Sequence, residues 1–169
     1  MSAARAEAAT RGSAGPRSGG LYGAVLVLAV ITALTKGDHD HTDVAVVLGG
    51  VLVTTIVFWI VHVYADTLAA RVAEPGRRWR DLAVEHGRHD ITIVEAAIPP
   101  GLPLLLGTLG VLSRSVAIWG AIAIGLLDLF AWGVLLGRAL AYGVSRTIAI
   151  GLLNVALGGV MVGLKVLVH

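Results

Sequence analysis

Residues 44–65 read VAVVLGGVLVTTIVFWIVHVYA and contain no Asp, Glu, Lys or Arg. A helix of about 20 apolar residues is long enough to cross the hydrocarbon core of a bilayer, which is about 30 Å thick. The segment also lacks the polar positions that recur every three or four residues in a surface helix of a soluble protein. It therefore predicts a membrane-spanning helix.

The rest of the chain has the composition of a membrane protein. Of 169 residues, 56% are hydrophobic and 14% are charged, whereas soluble domains carry about 25% charged residues. The mean hydropathy is +0.83. Apolar runs recur, and we predict an all-α polytopic membrane protein with five transmembrane helices, at about residues 21–35, 44–65, 91–112, 116–137 and 147–168.

The first 20 residues differ from the predicted transmembrane domain, residues 21–169. They are rich in Ala, Gly and Ser and have no apolar period, which predicts a disordered basic tail. A positively charged segment followed by a short apolar run, as at residues 21–34, is also typical of a signal peptide, but no A-x-A cleavage site follows the run. The charge distribution favours a span.

Lys and Arg residues predict the orientation. Positive residues concentrate on the cytoplasmic side of membrane proteins. With five spans, ten of the 13 Lys and Arg residues fall on one side: Arg5, Arg11, Arg17, Arg71, Arg77, Arg78, Arg80, Arg88, Arg138 and Arg146. This predicts a cytoplasmic N-terminus, an external C-terminus and a bacterial plasma membrane location, with lipid as the partner. The basic pI near 9.4 then indicates no nucleic-acid partner.

Several chemistries are excluded or unsupported. The chain has no cysteine, which excludes disulfides, thiolate metal sites and cysteine nucleophiles. No HExxH, Walker A or GxGxxG motif occurs, and no catalytic pair stands out at a shared depth. We therefore expect neither an enzyme nor an organic cofactor.

Polar groups within the spans are the best functional candidates, because a charge at the membrane centre is costly and is usually functional. In the second span, Thr55, Trp59, His62 and Asp66 share one helical face. We interpret His62 and Asp66 as part of a proton or cation path. The alternative is an interfacial belt in which Asp66 pairs with Arg71.

The third span carries Glu95 followed by IPPGLP, residues 98–103. Pro99, Pro100 and Pro103 lack backbone N–H groups and predict a helix break. Broken helices in membranes are tolerated where they are buried in protein or line a wet cavity, although a simple kink is the alternative. We expect Glu95 to lie near His62 and Asp66, with the loop residues His86, His89 and Asp90 approaching it from the cytoplasmic side. The alternative is that Glu95 only occupies the first turn of its helix, where the helix dipole favours a carboxylate.

The fourth and fifth spans each carry a polar residue at similar depth. Asp128 lies near the middle of one span, and Asn154 lies about eight residues from the cytoplasmic end of the other. Either these two residues form an ion site, or they hydrogen-bond to each other and clamp the two helices together. Both interpretations stay open.

Two polar segments lie between predicted spans. The outer loop KGDHDHTD, residues 36–43, places His39 and His41 beside Asp38 and Asp40, a pattern that suggests weak binding of a divalent metal or a plain polar turn. In the inner loop, RRWRDLAVEH at 77–86 predicts an interfacial helix anchored by Trp79.

Glycine is abundant in the spans, with 22 residues in the chain, and lets helices approach closely in lipid. Gly159 and Gly163 form a GxxxG motif, which we interpret mainly as packing within the chain. Five helices make a thin bundle, and oligomers bury acidic groups more easily, so we expect a homo-oligomer.

Phe58, Trp59, His62, Tyr64 and Ala65 match a pattern FWxxHxYA. Together with VEAAIPP at 94–100 and GLKVLVH at 163–169, this segment resembles a set of small uncharacterised bacterial integral membrane proteins. The resemblance covers most of residues 21–169 and implies a multi-span fold, but no activity.

These features lead to three functional hypotheses. The leading one is an ion channel or ion-coupled transporter for protons or small cations, with a path through His62, Asp66, Glu95, Asp128 and Asn154. The second is a structural or accessory subunit of a membrane complex. The third is a divalent metal transporter that uses the loop histidines.

Overall fold

A computed structural model describes residues 17–35 and 43–167, and these residues form helices joined by short turns, with no strand among them. We number the helices in chain order: α1 Arg17–Leu34, α2 Val44–Ala73, α3 Trp79–His89, α4 Thr92–Glu95, α5 Ile98–Thr108, α6 Arg114–Ala139 and α7 Val144–Leu167. The predicted all-α class is confirmed.

Two helices, α2 and α6, are long and apolar enough to cross a membrane. A third candidate is the bent pair formed by Trp79–Glu95 and Ile98–Thr108, whose two parts meet at 54°. The apolar helical segments Gly19–Leu34 and Val144–Val160 are shorter. The described part of the chain is thus an all-helical bundle with two or three candidate membrane-spanning helices.

The close approaches of glycines define the two ends of the bundle. At what we call the first end, a Cβ atom at Gly19 of α1 would lie 2.7 Å from Oγ1 of Thr92, where α4 begins. At the second end, a Cβ atom at Gly107 of α5 would lie 2.5 Å from Cβ of Ala117 and 3.1 Å from Cγ1 of Val44. The pair α4–α5 therefore runs from one end of the bundle to the other.

Helix α1 forms the centre of the bundle. It contacts α2, α4, α6 and α7, and its residues Val27, Leu28 and Ile31 are fully buried. Trp132 of α6 packs directly over Gly20, where a Cβ atom would overlap the indole ring. Because α1 is surrounded on several sides, it is apolar around most of its circumference.

Two helices extend beyond the segments expected from hydropathy. Helix α1 begins at Arg17, inside the segment predicted to be a disordered tail, and residues 1–16 lie outside the described part of the chain. Helix α2 runs to Ala73, eight residues past the predicted end of the second span. Its 30 residues correspond to about 45 Å, more than the hydrocarbon core requires.

The proline segment is helical, which corrects the predicted position of the break. The bend lies at Ala96–Ala97, between α4 and α5, and Pro99 and Pro100 occupy the first turn of α5. A proline is tolerated in a first turn, where its missing N–H has no intrahelical acceptor to lose. The same missing N–H groups prevent α4 from continuing into α5, while Pro103 is accommodated inside α5.

Candidate functional site

Helix α3 folds back against α2 at the first end of the bundle. The Trp59 indole Nε1 donates a hydrogen bond of 3.2 Å to the carbonyl of Gly87, and the rings of Tyr64 and Trp79 lie 5.9 Å apart. Leu82, on the apolar side of α3, is 1% exposed. This packing carries the end of α3 to the face of α2 that bears His62 and Asp66.

A cluster of three potential ligands forms at this contact, and we call it the His62–Asp66–Asp90 cluster. The Nε2 atom of His62 lies 3.7 Å from Oδ2 of Asp66, one turn further along α2. A carboxylate oxygen of Asp90 completes the group, and one ligand atom from each residue lies within 4.8 Å of the others.

Asp90 is the buried member of the cluster. The residue is 5% exposed, and its Oδ2 atom has no hydrogen-bond partner among the residues that the structure describes. Its backbone N–H binds the carbonyl of His86, and its own carbonyl accepts from Ile93, so the corner between α3 and α4 holds it in place. A buried carboxylate oxygen without a partner is costly, which marks this position as a candidate for binding a cation.

The other two members are accessible. The side chains of His62 and Asp66 are 36% and 44% exposed. Phe58 stacks on the His62 ring with a centroid distance of 6.0 Å and an interplanar angle of 18°. His86 and His89 of α3 lie close enough to act on Asp90 electrostatically. The cluster therefore combines one fixed carboxylate with two side chains that have room to rearrange.

Glu95 does not lie in the cluster with His62 and Asp66, where the sequence predicted it. Its side chain is exposed, and the acid that joins His62 and Asp66 is Asp90. The reason is that α4 packs more extensively against α1 than against α2. Sequence reasoning placed Asp90 in a loop near Glu95, because it did not predict that α3 would fold back onto α2. The Pro-Gly turn at 75–76 was the available signal for a helical hairpin.

The ion pair predicted between Asp66 and Arg71 does not form, and each residue has another partner. Asp66 lies beside His62, whereas Arg71 donates a hydrogen bond to the carbonyl of Arg77. Thr55, the fourth member of the predicted face, is buried and donates to the carbonyl of Val51 at 2.6 Å.

Asp128 and Asn154 form the second polar region, at mid-height of the bundle. Asp128 precedes Leu129, which packs with Leu28 of α1 around Gly158 of α7. The Oδ2 atom of Asp128 and the Nδ2 atom of Asn154 are buried and have no hydrogen-bond partner within residues 17–35 and 43–167. Because Nδ2 carries the only side-chain donors of an asparagine, the hydrogen bond predicted between the two residues is not made.

Glycines allow α6 and α7 to approach each other closely beside Asn154. A Cβ atom at Gly133 would lie 2.6 Å from Nδ2 of Asn154 and 2.7 Å from Cα of Gly151. The helices α6 and α7 are thus in backbone contact beside Asn154, as expected for small residues between membrane helices. By contrast, a Cβ atom at Gly159 or Gly163 would meet nothing within 4 Å, so the GxxxG motif does not pack, as predicted, against the described part of the chain.

The surface of α3 carries two shallow cavities. One, of about 830 Å³, is lined by Asp81, Val84, Glu85, His86, Arg88 and His89. The other, of about 470 Å³ and mostly apolar, lies on the side of Trp59 and Ile91. Beside the first, Arg77 donates a hydrogen bond of 2.7 Å to Glu85, and this exposed partner raises the pKa of Arg77 above its ordinary value.

The predicted loop metal site cannot be compared with the fold, since Asp38, His39, Asp40 and His41 lie outside the described residues. Asp43, the last acid of that segment, is described and has a structural role. Its Oδ1 atom accepts a hydrogen bond of 2.9 Å from the backbone N–H of Ala45. This is an N-cap, which stabilises the start of α2.

Comparisons with known proteins provide no family for the chain: no family model, no curated protein and no solved structure matches it. Function is therefore argued from the two polar regions themselves.

Proposed function

We propose that this protein moves protons or small cations across a membrane, as an ion channel or an ion-coupled transporter, with Asp128 and Asn154 at the centre of the path. The observation that carries the proposal is that both residues bury polar atoms without hydrogen-bond partners at mid-height of an apolar bundle. Intramembrane ionisable groups are rare and commonly belong to ion or proton pathways.

The main alternative, a purely structural or accessory role, predicts polar residues that satisfy each other within the bundle. Asn154 would then donate to Asp128, but its Nδ2 atom has no partner. The Oδ2 atom of Asp128 also lacks a hydrogen-bond partner among the described residues, which leaves both polar atoms available to an ion or to water. Polar atoms without partners therefore favour ion transport over a purely structural role.

We also propose that the chain crosses the membrane five times. Helices α1 and α7 have 18 and 24 residues, or about 27 and 36 Å, close to or above the thickness of the hydrocarbon core. The pair α4–α5 runs between the two ends of the bundle, and this supports a broken span rather than a re-entrant loop. With the positive residues inside, the first end faces the cytoplasm of a bacterium, and the C-terminus is external.

His62, Asp66 and Glu95 would then form the cytoplasmic entrance. All three side chains are at least partly exposed near the first end, where negative groups concentrate cations. A homo-oligomer is part of the proposal, because neighbouring copies would cover the large apolar side chains that the single chain exposes, among them Ile56, Ile60, Leu127 and Leu153.

Flux measurements on proteoliposomes test this function. We expect the wild type to dissipate a gradient of protons, Na⁺ or K⁺, and we expect Asp128→Asn to reduce that flux at least about tenfold, which corresponds to about 1.4 kcal/mol in the barrier. Asparagine has the shape of aspartate but cannot hold the negative charge that attracts a cation.

The matched control is Glu85→Gln, which makes the same chemical change at an exposed position on α3 and should keep wild-type flux. If the wild type conducts none of the three ions, or if Asp128→Asn conducts as well as the wild type, the proposal is wrong.

A further inference from the structure

We propose that His62, Asp66 and Asp90 bind a divalent transition-metal ion at the first end of the bundle. This inference does not rest on the ion path proposed above, which is centred on Asp128 and Asn154, although it shares His62 and Asp66 with the cytoplasmic entrance of that path. It also concerns different residues from the loop His39–Asp40–His41 considered from the sequence.

The chemical identity of the ligands supports the proposal. One imidazole and two carboxylates form a mixed nitrogen and oxygen set, which suits borderline ions such as Zn²⁺ and Co²⁺ better than Ca²⁺ or Mg²⁺, whose sites consist of oxygen ligands alone. Three protein ligands leave at least one position for water. Since His62 and Asp66 are partly exposed, an ion can reach the site from the aqueous side.

The distances are compatible with metal binding after small rearrangements. Ligands at about 2.0–2.2 Å from a tetrahedral metal ion lie roughly 3.4 Å from each other. The His62–Asp66 separation of 3.7 Å is already close to this value, and all three ligand atoms lie within 4.8 Å of one another. The accessible His62 and Asp66 side chains need to shift by about an ångström toward Asp90 to complete the site.

Asp90 provides the observation that distinguishes this cluster from a chance group of surface acids. An exposed carboxylate is satisfied by water, but Asp90 is 5% exposed and its Oδ2 atom has no partner. An ion bound between Asp90 and the two residues of α2 would compensate the charge of this buried carboxylate. It would also tie α2 to the corner between α3 and α4, next to the bend at Ala96–Ala97.

Titration of the purified full-length chain with Co²⁺ tests the proposal, because the intensity of the visible Co²⁺ absorption reports its coordination. The protein should carry no polyhistidine tag, and the background should contain His39→Ala and His41→Ala so that the loop adds no signal. We expect one ion per chain, displaced by Zn²⁺, and a rise in melting temperature when Zn²⁺ is added.

Two variants identify the site. Asp90→Asn and His62→Gln should each weaken Co²⁺ binding at least about tenfold, since loss of a partner that merely orients a ligand already costs about 10- to 100-fold. Glu85→Gln, an acid on α3 that is paired with Arg77, should bind like the background protein.

The proposal is overturned if the background protein binds no Co²⁺, or if its affinity is unchanged in His62→Gln. Because Asp90 is buried at a helix corner, its variant must show the melting temperature of the metal-free background protein before its affinity is interpreted. If Asp90→Asn melts at a lower temperature, only the Co²⁺ affinity of His62→Gln tests the proposal. The His62 side chain is partly exposed, so its replacement should leave the fold intact.

Discussion

The polar side chains at the first end of the bundle and those at its mid-height have different surroundings. His62 and Asp66 are 36% and 44% exposed and lie on the part of α2 against which α3 folds back. Asn154 sits beside the backbone contact of α6 and α7, where no space is left for a methyl group at Gly133, and the Oδ2 atom of Asp128 is buried on α6. Yet both regions contain a buried polar atom without a partner.

This comparison shows two ways of keeping polar groups in an apolar bundle. At the first end, exposed side chains can move, so a ligand set can be completed when an ion arrives. At mid-height, close helix packing fixes the positions in advance, and any ion or proton must use the geometry as it stands. The first arrangement suits reversible binding, whereas the second suits a site through which ions pass.

The largest stability effect should come from filling the close contact at mid-height. In Gly133→Leu, the side chain would overlap Asn154 and the backbone of Gly151, which cannot move without separating α6 from α7. We expect a loss of about 3 kcal/mol of unfolding free energy, at the upper end of the usual range for overpacking. Thermal or denaturant unfolding in detergent measures it.

The control for this change is Gly159→Leu on α7, where a Cβ atom meets nothing within 4 Å. It should alter the unfolding free energy by no more than about 0.5 kcal/mol. Equal losses in the two variants would show that α6 and α7 are not in backbone contact.

A smaller effect, of opposite sign, is expected for Asp128→Leu. Removing a buried oxygen that has no partner among the described residues relieves a desolvation penalty of about 1–3 kcal/mol, and we expect the lower end because the Asp128 side chain is only partly buried. The net gain should be about 1 kcal/mol of unfolding free energy, accompanied by a loss of ion flux. A variant that is less stable than the wild type would indicate that Asp128 has a structural partner, and it would weaken the contrast between the two regions.

The smallest effect should come from the contact that holds α3 on α2. Trp59→Phe removes the hydrogen bond from Nε1 to the Gly87 carbonyl, and we expect a loss of about 0.5 kcal/mol, the lower end for a single hydrogen bond. Hydrogen exchange of the α3 amides should become faster. In the control Trp79→Phe, which keeps a ring against Tyr64, exchange should stay as in the wild type.

Hydropathy predicted the helices well because lipid requires every backbone polar group to be satisfied within the segment. All five apolar runs are helical, and RRWRDLAVEH contributes most of α3. The predicted ends of the helices were less accurate. Helix α2 continues for two turns into a polar sequence, because helix propensity and packing against α3 extend it beyond its apolar part. Pro99 and Pro100 were correctly linked to a break, but they begin the helix that follows it.

The candidate site could be predicted only in part. The spacing of His62 and Asp66 by four residues is enough to place them on one face of a helix. Their third partner lies 24 residues beyond Asp66, and its identity depends on the turn at 75–76 and on the direction of α3. Glu95 was the more conspicuous acid, yet the packing of α4 on α1 leaves it exposed.

The sequence by itself determined the class of protein and the list of polar residues in its helices, because apolar length and local spacing are properties of the chain alone. Only the tertiary structure decided which of these residues meet. Asp90 joins His62 and Asp66 because α3 folds back, and Asp128 and Asn154 stay unpaired because Gly133 and Gly151 set the spacing and rotation of α6 against α7. Contacts between distant segments depend on packing, which no single segment encodes.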